Sequence, residues 1–398
     1  MLIVKKSRAI THNFAIFVKN HYHTMQRIIL AFDKFKGSLT SNEVAEAFAQ
    51  GWRCIVPDSD IVVVPIADGG DGMLQSLVSV LGATMQSVVA HDPLGRMTAC
   101  SYAMYETTAI IEMAQISGLA LLRVGERNPM LASTYGLGEV MRDALDRGAR
   151  RMILGIGGSA TNDCGMGMLS ALGYRFYNME GEELTSSGEA MCRVAKIDAS
   201  HADARLAECE IVVASDVDNL LYGERGAAWV YAKQKGATPA MVEALDAGMR
   251  RFSAVVGGEY HNVEGAGAAG GVGYALIALL GAELKPGIEL VLDTLGFDML
   301  LDDAQLVITG EGRIDVQTLM GKAPAGVLAH AKRKNIPVIA LGGGVEWCDE
   351  LLAGGFAHIY EATPEGMPLK EAMQQTTAQQ NICRAASRIA REWLSLHS

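Results

Sequence analysis

The sequence has no C-x-x-C pair, no excess of basic residues and no apolar run long enough to cross a bilayer. Its seven cysteines (54, 100, 164, 192, 209, 348 and 383) are scattered and odd in number, which speaks against a zinc site or a disulfide framework. Reduced thiols in a cytoplasm are the expectation. A formal net charge of −11 weighs against nucleic acid or an anionic membrane as a partner, since both call for basic surface. The longest apolar run, 272–280, falls short of the roughly 20 residues that a spanning helix needs. A G-x-x-x-x-G-K-[ST] loop is missing too, because Lys322 lacks the upstream glycine. What remains, 398 residues that are 49% hydrophobic and 20% charged, is enough for about two to three globular domains with substantial cores.

One stretch organises the chain. A strand-like run (Met152, Ile153, Leu154) enters a loop of glycines and small polar residues from Gly155 to Gly165, and a helix-like run (Met166, Met168, Leu169, Leu172) follows. That order puts backbone N–H groups at a helix start, where the dipole favours an anion. Gly157 and Gly158 remove side chains that would block a phosphate; Ser159, Thr161 and Asn162 add donors, and Asp163 adds a charge. The stretch reads as a phosphate-handling loop. Gly155, Gly157 and Ala160 also fit the dinucleotide fingerprint G-x-G-x-x-A, and Gly265, Gly267 and Gly270 fit G-x-G-x-x-G. Two hits among 44 glycines show how weak that pattern is. Glu180 and Glu182 stand at the distance of a ribose-binding acid, but in a turn, so an NAD-dependent hydroxy-acid dehydrogenase is the second reading.

Other candidates lie at predicted strand ends. Residues 1–24 carry four basic residues and no acid, unlike the rest, and Met25 is the more natural start before the strand Arg27–Phe32. Lys34, Lys36, Gly37 and Ser38 follow that strand and precede a helix opened by the capping box Thr40-Ser-Asn-Glu43, a place where α/β sheets bind ligands. Asp68 and Asp71 flank two glycines at a strand-to-helix turn. Their hard oxygens suit Mg²⁺; an Asp-Gly turn with a helix cap and no metal is the competing reading. The strand 211–214 delivers Asp216. A buried strand over 306–309 ends in Gly310-Glu-Gly-Arg-Ile-Asp315, a strand over 336–341 ends in three glycines, and a single helix is expected over 369–396. The glycine-rich segment 265–273 reads as close backbone packing or a ligand-lined turn.

Taken together, DKFKGSLTSNEVAEAF, VPIADGGDG, DPLGR, TYGLGE, RDALDRG, LGIGGSATNDCGMGML, DVDN, QKGA, GAGAAGG, LVITGEGRID and GKAP resemble the bacterial class I glycerate kinases, from about Met25 to near the C-terminus. The resemblance implies ATP- and Mg²⁺-dependent phosphorylation of D-glycerate, generally at the 2-hydroxyl, by a cytoplasmic enzyme. A kinase making 3-phosphoglycerate or acting on another sugar acid is the nearer alternative. The implied fold is α/β in two domains: one Rossmann- or flavodoxin-like with a largely parallel sheet (25–85 and 290–398), the other an inserted mixed α/β domain (86–289) carrying the glycine-rich loop. Composition shifts near residues 85 and 290 agree with that split. This sequence departs from the family pattern in having DGGDG for DGGEG, Lys34 where serine is common, Ser215 for cysteine and Cys164 for glycine. None of these removes a charged group.

The residues then take roles. Gly157, Gly158, Ser159, Thr161, Asn162 and Asp163 are assigned to ATP, and Asp68 and Asp71 to Mg²⁺. Lys36, Ser38 and Arg313 are assigned to glycerate, with Lys36 and Arg313 also facing the transferring phosphoryl group. The general base stays open among Asp216, Asp315 and Asp163, since any carboxylate in reach of the hydroxyl suffices. Oligomeric state is open; a homo-oligomer is compatible with the sequence.

Overall fold

The computed structural model describes residues 27–67 and 73–397, and the chain divides into two units. One joins residues up to Ile66 with those from Gly296 onward; the other is the continuous segment Ala67–Leu295.

The first unit is built on five parallel strands, side by side in the order His358–Glu361, Val338–Val345, Leu306–Ile314, Arg27–Phe32 and Asp60–Val63. Side chains alternate across a strand, so Ile28, Leu30 and Phe32 enter one core with Val44, Phe48 and Trp52 of helix Ser41–Arg53 and Ala386, Ile389 and Trp393 of helix Gln375–His397. Ile29 and Ala31 are buried as well, so both faces are covered, as continuous apolar strands require. From Arg27–Phe32 the chain steps outward to Asp60–Val63, then returns on the other side of the first strand with Leu306–Ile314 and winds the opposite way. The carboxyl ends of Arg27–Phe32 and Leu306–Ile314 therefore flank a topological switch point, the crevice where open α/β sheets hold ligands.

Two of these strands outrun the expectation. The glycines predicted to end them pair instead, with Gly310 beside Leu341, Glu311 beside Gly342 and Arg313 beside Gly344. A Cβ on Gly310 would lie 1.9 Å from the Leu341 carbonyl oxygen, and one on Gly343 would lie 2.6 Å from that of Gly312. Glycine here permits close strand approach. The C-terminal helix is also two helices, Leu369–Ala372 and Gln375–His397.

The second unit holds a six-stranded mixed sheet ordered Glu283–Lys285, Glu210–Ala214, Arg151–Gly155, Thr108–Glu112, Met97–Tyr105 and Thr84–His91. The first four are parallel and the last two antiparallel. One face packs on Leu137, Met141, Met168, Leu245, Phe252 and other buried residues. The other carries Ile110, Ile153 and Val212 against Met73, Leu74, Leu77, Leu290 and Val291. Helix Met73–Leu81 therefore packs in this unit, and the chain divides at Ile66/Ala67 and Leu295/Gly296 where the composition had suggested 85 and 290. The apolar stripe that made the helix legible belongs to the second sheet. All seven cysteines are free thiols, and among the described residues no helix is long and apolar enough to cross a membrane.

Candidate active site

In the second unit, strand Arg151–Gly155 leads into the loop 156–165 and helix Met166–Ala171. The loop is tied along its length: Leu119 N–H donates to the Gly158 carbonyl, Ala160 N–H to Ser117, and Cys164 N–H to Gly270. Gly157 and Gly158 are exposed, and a Cβ on Gly157 would meet open space. They border a cavity of about 320 Å³ whose lining includes Ser159, Ser215, Asp216 and Lys235. The cavity opens at the carboxyl ends of two neighbouring parallel strands, Arg151–Gly155 and Glu210–Ala214. Asp216 is exposed at its wall and accepts a hydrogen bond from Gly287 N–H at 2.8 Å.

Lys235 lies beneath the loop, 3% exposed. Its Nζ donates to Ser159 Oγ at 2.8 Å and to the Thr161 carbonyl at 2.7 Å. Burial pushes the ammonium down to about 7, against the attraction of Asp163. Ser215 Oγ is buried with no partner among the described residues. A cation with no hydrogen-bonded carboxylate among the described residues, a hydroxyl orphaned among them and exposed glycine backbone make a donor set that fits a phosphate group.

In the first unit, the loop after Arg27–Phe32 lies against strand Leu306–Ile314: Asp33 N–H donates to the Gly310 carbonyl, and a Cβ on Gly312 would come within 3.3 Å of Lys36 N. Lys36 and Arg313 are thus on adjacent segments at the switch point, both exposed. Arg313 pairs with Glu346, and its Nε is 4.0 Å from Asp315 Oδ2. Ser38 Oγ is buried without a partner among the described residues. Glu311 accepts from Thr318 Oγ1 at 2.7 Å and lies 3.5 Å from Lys322 Nζ, which is 3.9 Å from Asp315. Burial raises the Glu311 carboxyl above its usual range, with Thr318 and Lys322 opposing.

Comparison with known proteins places this arrangement. The model of the glycerate kinase family matches residues 28–394. The chain belongs to the glycerate kinase family. It is similar to the glycerate kinase of Halalkalibacterium halodurans, at 44% identity over 88% of this chain and 94% of that one. It is also similar to the glycerate 2-kinase of Escherichia coli K12, at 40% identity over 92% and 97%. The crystal structure named for glycerate kinase 2 of Salmonella typhimurium LT2 superposes with a TM-score of 0.84 at 40% identity, covering 94% of this chain and 100% of that one. As a member of this family the chain is a kinase.

Within this kinase the predicted residues separate by exposure. Gly157, Gly158, Ser159 and Asp216 line the cavity. Thr161, Asn162 and Asp163, also assigned to ATP, are fully buried, and Thr161 Oγ1 and both side-chain polar atoms of Asn162 have no hydrogen-bond partner among the described residues. Asp163 accepts four hydrogen bonds, from Thr134 N–H and Oγ1–H, Gly165 N–H and Gly167 N–H. Through them Asp163, one of the three candidate bases, holds the loop to Thr134 at the start of helix Tyr135–Asp146. Asp315 caps the short helix Val316–Leu319 by accepting from Gln317 N–H at 2.9 Å. Asp68 and Asp71 lie outside the described residues. Glu180 and Glu182 sit in an exposed turn closed by Asn178, which gives a nicotinamide site no support. Lys235, which lines the cavity, and Lys322, beside Glu311 and Asp315, were not among the predicted residues. The only signal for either was its place in the motifs QKGA and GKAP.

Proposed function

We propose that this chain transfers the γ-phosphoryl group of ATP to the 2-hydroxyl of D-glycerate, giving 2-phosphoglycerate and ADP. The observation that carries this reading is the cavity of exposed glycine backbone over a buried lysine, in a chain of the glycerate kinase family. The name of the E. coli relative favours the 2-position. Phosphoryl transfer asks a protein chiefly for positioning and charge neutralisation. Gly157, Gly158 and Ser159 hold the nucleotide phosphates, and Lys36, Ser38 and Arg313 hold the glycerate carboxylate. Asp216 accepts the hydroxyl proton, because of the three candidate carboxylates it is the one that lines the cavity beside Gly157, Gly158 and Ser159. Asp68 and Asp71 hold Mg²⁺, which when bound neutralises charge on the phosphate oxygens.

Phosphorus NMR of the protein with ATP, Mg²⁺ and D-glycerate tests the proposal, since it reports both turnover and the carbon that receives the phosphate. A 2-phosphoglycerate signal is expected. A 3-phosphoglycerate signal would keep the kinase and overturn the position; unconsumed ATP would overturn glycerate as acceptor. Asp68→Asn should lower turnover at least tenfold and raise the Mg²⁺ concentration needed for half-maximal rate. An unchanged Mg²⁺ titration would remove Asp68 from the site.

A further inference from the structure

We infer that Lys235 is a positioning residue for the bound triphosphate: its buried ammonium pins the loop through Ser159 and Thr161 and supplies the positive charge that draws the anion in. The inference rests on the reading of Gly157–Ser159 as the phosphate loop and deepens it.

Three observations carry it. Both hydrogen-bond acceptors of Lys235, Ser159 Oγ and the Thr161 carbonyl, are neutral groups of that loop, which leaves one of the three ammonium donors unassigned among the described residues. No carboxylate stands within ion-pair distance of it among those residues. The acid that acts on it through space, Asp163, turns its oxygens to Thr134, Gly165 and Gly167. A buried cation without a paired anion is costly, and here it forms part of a cavity wall, so an anion entering that cavity provides the missing countercharge. The position is also built rather than incidental. Gly236, at φ +95°, follows directly, and a Cβ there would lie 2.2 Å from the Arg127 carbonyl oxygen, which fixes where the lysine emerges.

The charge is conditional on pH. Asp163 faces the ammonium from the loop, while Asp216 and Tyr231 line the same cavity from the strand end and the preceding helix. Burial outweighs the attraction of Asp163 and leaves the group titrating at about 7, so an arriving polyanion draws a proton onto it.

Calorimetric titration of the full chain with inorganic tripolyphosphate, without glycerate, tests this alongside ATP kinetics. Lys235→Met should weaken tripolyphosphate at least tenfold at pH 7 and raise the KM for ATP by a similar factor, while the KM for glycerate changes less than twofold. Lys235→Arg should keep binding within about threefold, and its affinity should fall less than that of wild type between pH 7 and 9, because arginine stays charged. A folded Lys235→Met protein that binds tripolyphosphate within twofold of wild type would overturn the inference. Where Lys235→Met does not fold, the arginine variant decides, and a pH profile identical to that of wild type would equally overturn it. Wild-type protein that turns over ATP but does not bind tripolyphosphate would refute the phosphate-loop reading, and the role of Lys235 with it.

Discussion

Asp163 and Lys235 are opposite charges buried under one loop, and they act differently because their partners differ. The Asp163 carboxylate is satisfied by four donors; an amide in its place would turn two N–H groups toward some of those same donors. Asp163→Asn should therefore lower stability by about 3 kcal/mol, the scale of losing charged hydrogen bonds in a buried site. A urea midpoint unchanged at constant slope would show that the loop does not depend on the charge. Lys235 makes a prediction with the sign fixed by linkage. Its folded-state pKa is pushed down to about 7 by burial, whereas a lysine in the unfolded chain titrates near 10.4. Between those values the unfolded state binds the extra proton, so this group's contribution to stability rises with pH from about 7 toward 10. Buried thiols such as Cys164, raised by desolvation, pull the other way above their ordinary value. The difference between wild type and Lys235→Met isolates the lysine: urea unfolding at pH 7, 8 and 9 should show the advantage of the methionine variant shrinking as pH rises. A constant difference would mean the ammonium is not desolvated.

At the scale of elements, the loop depends on the segment packed against it. Helix Ala268–Leu280 begins with Ala269, Gly270 and Gly271 at positive φ, and a Cβ on Gly270 would lie 2.1 Å from the Thr161 carbonyl oxygen. That oxygen is also an acceptor for Lys235, so Gly270→Ala should destabilise by on the order of 3 kcal/mol and raise the KM for ATP together. A lower melting temperature with an unchanged KM would separate the fold from the site. The second G-x-G-x-x-G match is thus close backbone packing under the first loop. Strand Arg27–Phe32 and the capping box of helix Ser41–Arg53 were legible because their signals are local: a continuous apolar run, and Thr40 and Glu43 exchanging hydrogen bonds three residues apart. The extension of Leu306–Ile314 was not, because Gly310, Glu311 and Arg313 continue as strand through pairing with Leu341, Gly342 and Gly344 of a strand about 30 positions later. The candidate site divides in the same way. Residue types at strand ends pointed to phosphate chemistry, but Thr161 and Asn162 pack against Gly270, about a hundred positions later, and Asp163 is bonded by Thr134, 29 positions earlier. Lys235 meets its acceptors 74 and 76 positions away.

The whole molecule carries the same contrast between near and distant contacts into its folding. The second unit is one continuous segment, Ala67–Leu295, whereas the sheet of the first joins both sides of it. Its central pair, Arg27–Phe32 with Leu306–Ile314, is closed by contacts such as Thr309 Oγ1–H to the Ala31 carbonyl, 278 residues apart. In an unfolded chain that closure carries the entropy of a very long loop, and non-local parallel pairing is intrinsically slow. Once Ala67–Leu295 has collapsed, the loop is effectively shortened by a folded body, so the central pair should form second. Pulse-labelled hydrogen exchange during refolding should find amides of Arg151–Gly155 and Glu210–Ala214 protected before those of Arg27–Phe32 and Leu306–Ile314. Trp52, fully buried in the first unit's core, should acquire its native fluorescence only in the later phase. Protection of all four strands in a single phase would show that the split sheet is assembled in the rate-limiting step for the whole chain, and would overturn the order argued from connectivity.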